Sequence, residues 1–208
     1  MTMVTMSRFF PIPLRGGVAR SDGVVIPKAE GSPKGKITNM LLIFDLDGTL
    51  FKAKPVVQRV GLDTTVPDYF ELLDAAIREH GKLFSGVSNM LKQLHSAGHN
   101  LIICSKSPME YIRLVLIYTE ISEFFTRYYS SESYASKAVL VSEIITPKTP
   151  AAVIGDTHGD ISAAKKNGLP SIAAMYGYGN KAMLENADYF ADSPEEIITC
   201  VEKLLLSP

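Results

Sequence analysis

An aspartate, a histidine and a second aspartate lie within five residues of one another in the segment VIGDTHGD, residues 153–160. Two kinds of phosphate-cleaving site use such a string. In one, Asp156 and His158 are ligands of a two-metal centre. In the other, Asp156 and Asp160 serve one Mg²⁺, and the histidine has no required role. A two-metal centre needs several further histidines, and the chain has four in all. The single-metal interpretation is therefore favoured.

The three remaining histidines do not supply the missing ligands. His80, His95 and His99 lie at or near predicted helix ends, and none follows an asparagine. At such positions we expect a histidine to be solvated or to interact with the end of a helix.

Three polar residues each follow an apolar run that is typical of a strand buried on both faces. The run MLLIF ends at Asp45, LIIC ends at Ser105, and AAVIG ends at Asp156. Helical patterns separate these runs, and the alternation predicts an α/β fold, a Rossmann-like parallel sheet with helices on both faces. Because ligands of such sheets bind beyond the carboxyl ends of the strands, we expect the three side chains to converge at one edge.

The chain divides into three parts by pattern. Residues 1–39 contain frequent glycine and proline with no sustained apolar period, which predicts a flexible extension. Residues 40–50 and 85–208 carry the alternating strands and helices of the Rossmann-like core. Residues 51–84 read as one short and one longer helix, and we expect them to form a small helical cap over the site.

The composition excludes several classes of protein. The chain is 46% hydrophobic and 21% charged, which suits a water-soluble globular domain. Its formal net charge of −1 lacks the excess of positive charge that is typical of nucleic-acid-binding proteins. No apolar run is long enough to cross a membrane. Cys104 and Cys200 are too few and too far apart to indicate a disulfide framework, so we expect a reducing, cytoplasmic location.

The motifs at these strand ends resemble those of the haloacid dehalogenase superfamily. FDLDGTL at residues 44–50 and GDTHGD at residues 155–160, together with Ser105 and Lys137, resemble its four motifs. The segment FSGVSNMLKQLHSAGHNLIICSKS is similar to the phosphoglycolate-phosphatase-like branch. The resemblance extends from residue 41 to about residue 194, which is most of the chain.

The resemblance implies a Mg²⁺-dependent phosphatase that forms an aspartyl-phosphate. It implies that Asp45 is the nucleophile and that Asp45 and Asp156 bind the metal. It also implies that Asp47 protonates the leaving alkoxide, deprotonates the attacking water, and gives its backbone carbonyl to the metal. The backbone N–H groups of Gly48 and Thr49 are expected to approach the phosphoryl oxygens.

Two further motif residues would contact the phosphate, and a third would support them. Ser105 is expected to donate its hydroxyl to the phosphoryl group. Lys137 is expected to neutralise phosphate and Asp45, although Lys148 in the segment TPKTP remains the competing motif lysine. Asp160 is expected to hold metal-bound water or Lys137 in place.

The same residues leave other functions open. A phosphomutase would return the phosphoryl group from aspartate to a sugar, and a regulatory binding module would keep the site without turnover. For a phosphatase the partner is a phosphorylated small molecule, with no nucleic acid and no membrane. The expected cap of 34 residues looks short for the phosphoglycolate-phosphatase-like branch. A larger substrate or the second subunit of a homodimer would then complete the site.

Overall fold

The computed structural model describes residues 39–61, 65–146 and 149–206. The extension expected at residues 1–39 lies outside them except for its last residue, and so does Lys148. In chain order the strands are β1 Leu41–Phe44, β2 Asn100–Ser105, β3 Phe125–Ser130, β4 Ala151–Gly155, β5 Ser171–Ala174 and β6 Tyr189–Ala191. The helices are α1 Ala53–Val60, α2 Tyr69–His80, α3 Val87–Ser96, α4 Met109–Thr119, α5 Lys137–Ile144, α6 His158–Lys166, α7 Lys181–Leu184 and α8 Pro194–Leu206, with a 3₁₀ turn at Ser122–Phe124.

The strands form one parallel sheet in the order β3-β2-β1-β4-β5-β6. This confirms the predicted α/β class. The chain moves outward from β1 in one direction and then in the other, so the order reverses between β1 and β4. Phe44 pairs with Ile103 on β2 and with Ile154 on β4. The residues that follow these strands therefore share one edge of the sheet.

The sheet is covered on both faces, which explains why its central strands are apolar throughout. On one face Leu42 and Phe44 belong to a cluster that includes side chains of α3, α4 and α8. On the other face Leu41 and Ile43 belong to a cluster with side chains of α5 and α6. All four residues of β1 are buried, so successive side chains of one strand support both layers.

The edge strand β3 has a different sequence pattern from the central strands. It runs from Phe125 to Ser130. Only Phe125 of this strand is fully buried, and the others are exposed or half-buried. An edge strand lacks the continuous apolar run by which the central strands are recognised.

The insert at residues 51–84 forms the two expected helices, α1 and α2. Its two ends lie side by side, because Phe51 bridges to Leu83 and the N–H of Phe84 donates to Leu50 O at 3.0 Å. On the core side, the Tyr118 hydroxyl donates to Asp74 of α2 at 2.7 Å. Tyr118 thus anchors the cap to α4. No helix among the described residues has the length and apolarity needed to span a bilayer.

His99 is not at a solvated helix end, contrary to our expectation. It is 7% exposed, and its Nδ1 accepts a hydrogen bond from the N–H of Met40 at 3.1 Å. Burial lowers the pKa of this imidazole below its usual value. The neutral ring thus ties the start of β2 to the residue that precedes β1.

Acidification should destabilise the fold through His99. Its folded pKa is lowered, so the unfolded chain binds the proton more readily, and stability is lost as pH falls below about 6.5. The loss amounts to roughly 1.4 kcal/mol for each pH unit between the folded and unfolded pKa values. His99→Asn keeps a non-titrating acceptor near Nδ1, so urea unfolding between pH 7.5 and 5 should depend less on pH. Equal slopes for wild type and His99→Asn would contradict this account.

Candidate active site

The three polar residues that follow buried strands meet at one edge, as expected. Asp45 comes directly after β1, and its N–H donates to Ile154 O of β4 at 2.8 Å. Asp156 comes directly after β4, and Ser105 is the last residue of β2. All three are buried, with exposed fractions of 7%, 0% and 1%. The reversal of strand order brings these strand ends together at the place where α/β sheets bind their ligands.

A buried lysine joins two carboxylates at this edge. Lys137 Nζ donates to Asp45 Oδ1 at 2.6 Å and also to Asp160 Oδ1. Lys137 begins α5, where Ser136 caps the helix by accepting the N–H of Val139 at 3.3 Å. This N-cap fixes the start of α5 and so the position from which the lysine reaches the site.

The electrostatics of this cluster favour a cation. Burial raises the pKa of Asp45 to about 8; Lys137 opposes this effect and the nearby Asp160 reinforces it. Burial by itself would lower the pKa of Lys137, yet Asp160 and Asp45 raise it overall. Burial also raises the pKa of Asp156. With every group ionised, three carboxylates face one ammonium group, so the cluster carries excess negative charge.

Asp160 supports the lysine from the start of α6. The N–H and the hydroxyl of Thr157 both donate to Asp160 Oδ2, at 3.0 and 2.6 Å. Oδ2 therefore secures the first turn of the helix while Oδ1 holds Lys137. His158 begins the same helix and is exposed.

Backbone groups and one hydroxyl closely surround the carboxylate of Asp156. The N–H of Tyr178 donates to its Oδ2 at 2.7 Å, and the Thr49 hydroxyl donates to its Oδ1 at 3.3 Å. Gly48 has a φ of +88°, and a Cβ there would lie 2.1 Å from Asp156 Oδ2. A Cβ at Gly177 would lie 2.4 Å from the Cβ of Asp156. Side chains at these glycines would displace the carboxylate.

The backbone amides of Gly48 and Thr49 donate hydrogen bonds within the turn after β1. The N–H of Gly48 donates to Phe51 O at 2.9 Å, and that of Thr49 donates to Leu46 O at 3.4 Å. Both hydrogen bonds close the turn that leads into the cap, and contact of these amides with phosphoryl oxygens stays a prediction. The side chain of Thr49 contacts Asp156.

Asp47 points away from the carboxylate cluster, toward α4. Ser107 Oγ donates to its Oδ2 at 2.5 Å, and the Tyr111 hydroxyl donates to its Oδ1 at 2.7 Å. Burial raises the pKa of Asp47, although both donors oppose the rise. Ser107 and Tyr111 were not among the residues predicted from the sequence. Their positions could have suggested a role, because Ser107 lies two residues after Ser105 and Tyr111 lies in the first turn of the helix that follows.

A cavity of about 110 Å³ separates the cap from the core on the side of Asp47. Side chains of α1 and α2 form the cap wall, and residues of the β2–α4 turn and of α4 form the core wall. Its lining comprises Asp47, Val56, Val57, Val60, Gly61, Tyr69, Phe70, Leu73, Ser107, Pro108 and Tyr111.

Three of the carboxylates could hold a metal ion. Oxygen atoms of Asp45, Asp156 and Asp160 lie within 4.8 Å of one another, and all three residues are buried. Carboxylate oxygens are the ligands that hard divalent cations prefer. Asp47 Oδ1 and Oδ2 are held by Tyr111 and Ser107 instead. Of the expected metal residues, Asp45 and Asp156 thus lie together, and a metal contact through the backbone carbonyl of Asp47 stays a prediction.

The sequence family described as haloacid dehalogenase-like hydrolase matches residues 57–174, more than half of the chain. The chain belongs to this family. Curated relatives place the similarity in the phosphoglycolate-phosphatase-like branch. A phosphoglycolate phosphatase of Vibrio vulnificus is 28% identical over 145 residues, 63% of each chain. One from Synechococcus elongatus is 26% identical over 167 residues, which are 74% of this chain and 78% of the relative. The match to the Vibrio relative thus spans less than two thirds of that protein's length.

Solved structures of other proteins have the same fold. A predicted phosphatase from Clostridium acetobutylicum has a TM-score of 0.63 at 23% identity, covering 79% of this chain and 98% of its own. CbbY from Rhodobacter sphaeroides, solved in complex with phosphate, has a TM-score of 0.62 at 17% identity, with coverages of 76% and 95%.

Proposed function

We propose that the chain is a Mg²⁺-dependent phosphatase that hydrolyses the phosphate monoester of a small molecule. The observation that carries this proposal is the buried cluster of Asp45, Asp156, Asp160 and Lys137, with Asp47, two residues after Asp45, lining a cavity. The names of the curated relatives support the same chemistry.

The donor set fits a hard divalent cation. Asp45 and Asp156 would hold it through carboxylate oxygens, and the backbone carbonyl of Asp47 would complete the protein ligands. Asp160 already bonds Lys137 and Thr157, so we assign it a supporting role. When bound, the cation supplies positive charge that offsets the phosphoryl oxygens and the surrounding carboxylates.

The reaction proceeds in two steps on Asp45. A carboxylate oxygen of Asp45 attacks phosphorus, and the bond from phosphorus to the ester oxygen breaks as Asp47 transfers its proton to that oxygen. The alcohol leaves, and Asp45 carries an aspartyl-phosphate. Water then attacks phosphorus and gives a proton to Asp47. Inorganic phosphate departs with the water oxygen, and both aspartates return to their starting states.

The cationic and hydroxyl donors of the site bind the phosphoryl oxygens. Lys137 bonds Asp45 and so lies beside the phosphorus that Asp45 would attack. The Ser105 hydroxyl accepts a hydrogen bond from the N–H of Ser107 at 3.1 Å, which leaves its own proton free to be donated to the phosphoryl group.

A direct assay tests this function. Release of inorganic phosphate from p-nitrophenyl phosphate should require Mg²⁺ and should stop when EDTA is added. No release with Mg²⁺, Mn²⁺ or Co²⁺ would overturn the proposal and would favour the binding module. Transfer of the phosphoryl group to a sugar in preference to water would favour the phosphomutase.

The boundaries and setting of this activity remain predictions. We propose that residues 40–50 and 85–208 form the catalytic core, that residues 51–84 form the cap, and that residues 1–39 are an extension that catalysis does not need. A cytoplasmic location and a homodimer also stay predictions.

Tyr111→Phe should lower kcat on p-nitrophenyl phosphate and leave KM nearly unchanged. The lost hydroxyl holds Asp47 Oδ1, so the acid would be less well oriented toward the leaving oxygen. We expect a loss of about tenfold, part of the roughly 10²- to 10⁴-fold contribution of a positioned acid. Tyr189→Phe is the control, because it removes the same hydroxyl from the edge strand β6, outside the site. Equal rates for the two variants would contradict a positioning role for Tyr111.

A further inference from the structure

The wall of the cavity between cap and core is mainly apolar. Val56, Val57 and Val60 face it from α1, and Phe70 and Leu73 face it from α2. Among the described residues that line it, none is lysine, arginine or histidine. Asp47 is the acidic residue of this lining.

We propose that the leaving group of the preferred ester is a small, uncharged apolar group, rather than one that ends in a carboxylate. This inference rests on the proposed phosphatase function and names the substrate class of that site. It departs from what the names of the curated relatives suggest, since phosphoglycolate carries a carboxylate on its leaving group.

The position of Asp47 identifies the cavity as the leaving-group site. Asp47 is the proposed acid for the ester oxygen, and its two hydroxyl partners, Ser107 and Tyr111, line the same cavity. The carbon attached to that oxygen must therefore extend into the space under α1 and α2. A carboxylate there would lose its hydration, gain no cationic partner from the described wall, and face the carboxyl group of Asp47.

Two lysines of the cap, Lys52 and Lys54, do not supply the missing cationic partner. Lys52 Nζ lies 5.3 Å from the centroid of the Phe84 ring, and Lys54 Nζ lies 4.3 Å from that of Tyr178. Neither lysine lines the cavity. Both ammonium groups are already placed on aromatic faces, which stabilise them electrostatically.

The size of the cavity limits the leaving group. An apolar cavity of about 150 Å³ is known to hold benzene, so the volume of about 110 Å³ suits a short branched alkyl chain or a small ring. Phe70 contributes to the wall while 51% of its surface is exposed. An apolar group in the cavity would cover part of that ring.

The test compares two esters of nearly the same shape. Isobutyl phosphate and 2-phosphoglycolate differ in that an isopropyl group replaces the carboxylate. With the full chain and Mg²⁺, kcat/KM for isobutyl phosphate should exceed that for 2-phosphoglycolate by about tenfold or more. The ratio should fall by about tenfold in Phe70→Lys, which brings an ammonium group to the wall.

Leu72→Lys provides the matched control. Leu72 lies on the same helix, is 50% exposed, and does not line the cavity, so the substrate ratio should stay at its wild-type value. Should Leu72→Lys change the ratio as much as Phe70→Lys, long-range charge and not the cavity would set the preference, and the inference would be overturned.

The outcomes separate this inference from the function on which it rests. Hydrolysis of p-nitrophenyl phosphate with a preference for 2-phosphoglycolate over isobutyl phosphate would overturn the substrate class and leave the phosphatase in place. Hydrolysis of none of the three esters would overturn both.

Discussion

Asp45→Asn should abolish phosphate release while the fold is retained. The amide matches the carboxylate in shape but cannot attack phosphorus, so we expect the turnover of p-nitrophenyl phosphate to fall by about 10⁴-fold or more. Lys137 keeps its second partner, Asp160, so the buried ammonium group is not left unpaired. Steady-state kinetics measure the loss of turnover, and thermal unfolding shows whether the fold is retained.

Two controls make this result decisive. Mass spectrometry must exclude deamidation, because a small fraction of regenerated Asp45 would restore some activity. Asp192→Asn makes the same change at an exposed position and should leave turnover near wild type. Turnover of Asp45→Asn near the wild-type rate, with deamidation excluded, would remove Asp45 as the nucleophile.

Asp156→Asn should weaken metal binding severely. The amide preserves the size of the side chain, and its oxygen can still accept the N–H of Tyr178. It removes one negative charge and one carboxylate ligand. Loss of supporting residues alone weakens metal sites by roughly 10- to 100-fold, so loss of a direct ligand should exceed that range. Calorimetric titration with Mg²⁺ measures the affinity directly, and the Mg²⁺ dependence of phosphate release gives a second value.

His158→Ala distinguishes the single-metal site from the two-metal alternative. His158 is exposed at the start of α6, so both Mg²⁺ affinity and turnover should stay close to wild type. The opposite pattern, with Asp156→Asn active and His158→Ala inactive, would return the two-metal interpretation to consideration.

The sequence predicted the parts of the site that depend on strand ends. Each of the runs before Asp45, Ser105 and Asp156 is apolar at every position because its strand is covered on both faces. A run of that kind reveals both the strand and the point where it ends. Parallel pairing then brings the ends to one edge without any knowledge of side-chain contacts. The sequence left Lys148 open as an alternative to Lys137. The burial of Lys137 against Asp45 became visible only in three dimensions.

The parts that escaped prediction depend on contacts between distant segments. Tyr111 is 64 residues from Asp47, and Tyr178 is 22 residues from Asp156. Neither contact leaves a periodic pattern, because each requires a single side chain or a single N–H group. Tyr111 also lies in α4 beside buried apolar residues, so the sequence pattern is that of an ordinary core-facing helix. The apolar cavity also had no sequence signature, since its walls come from helices on two sides.

The side-by-side ends of the cap insert have a consequence for how this protein can be altered. The chain leaves the core and returns to it through the contact between Phe51 and Leu83. The ends of any segment placed between these residues are thus already held together by the core. The entropy needed to close such a segment grows only with the logarithm of its length. The length of the insert can therefore change at a small entropic cost. A replacement segment must still cover the core that Val56, Leu73 and Ile77 now help to form.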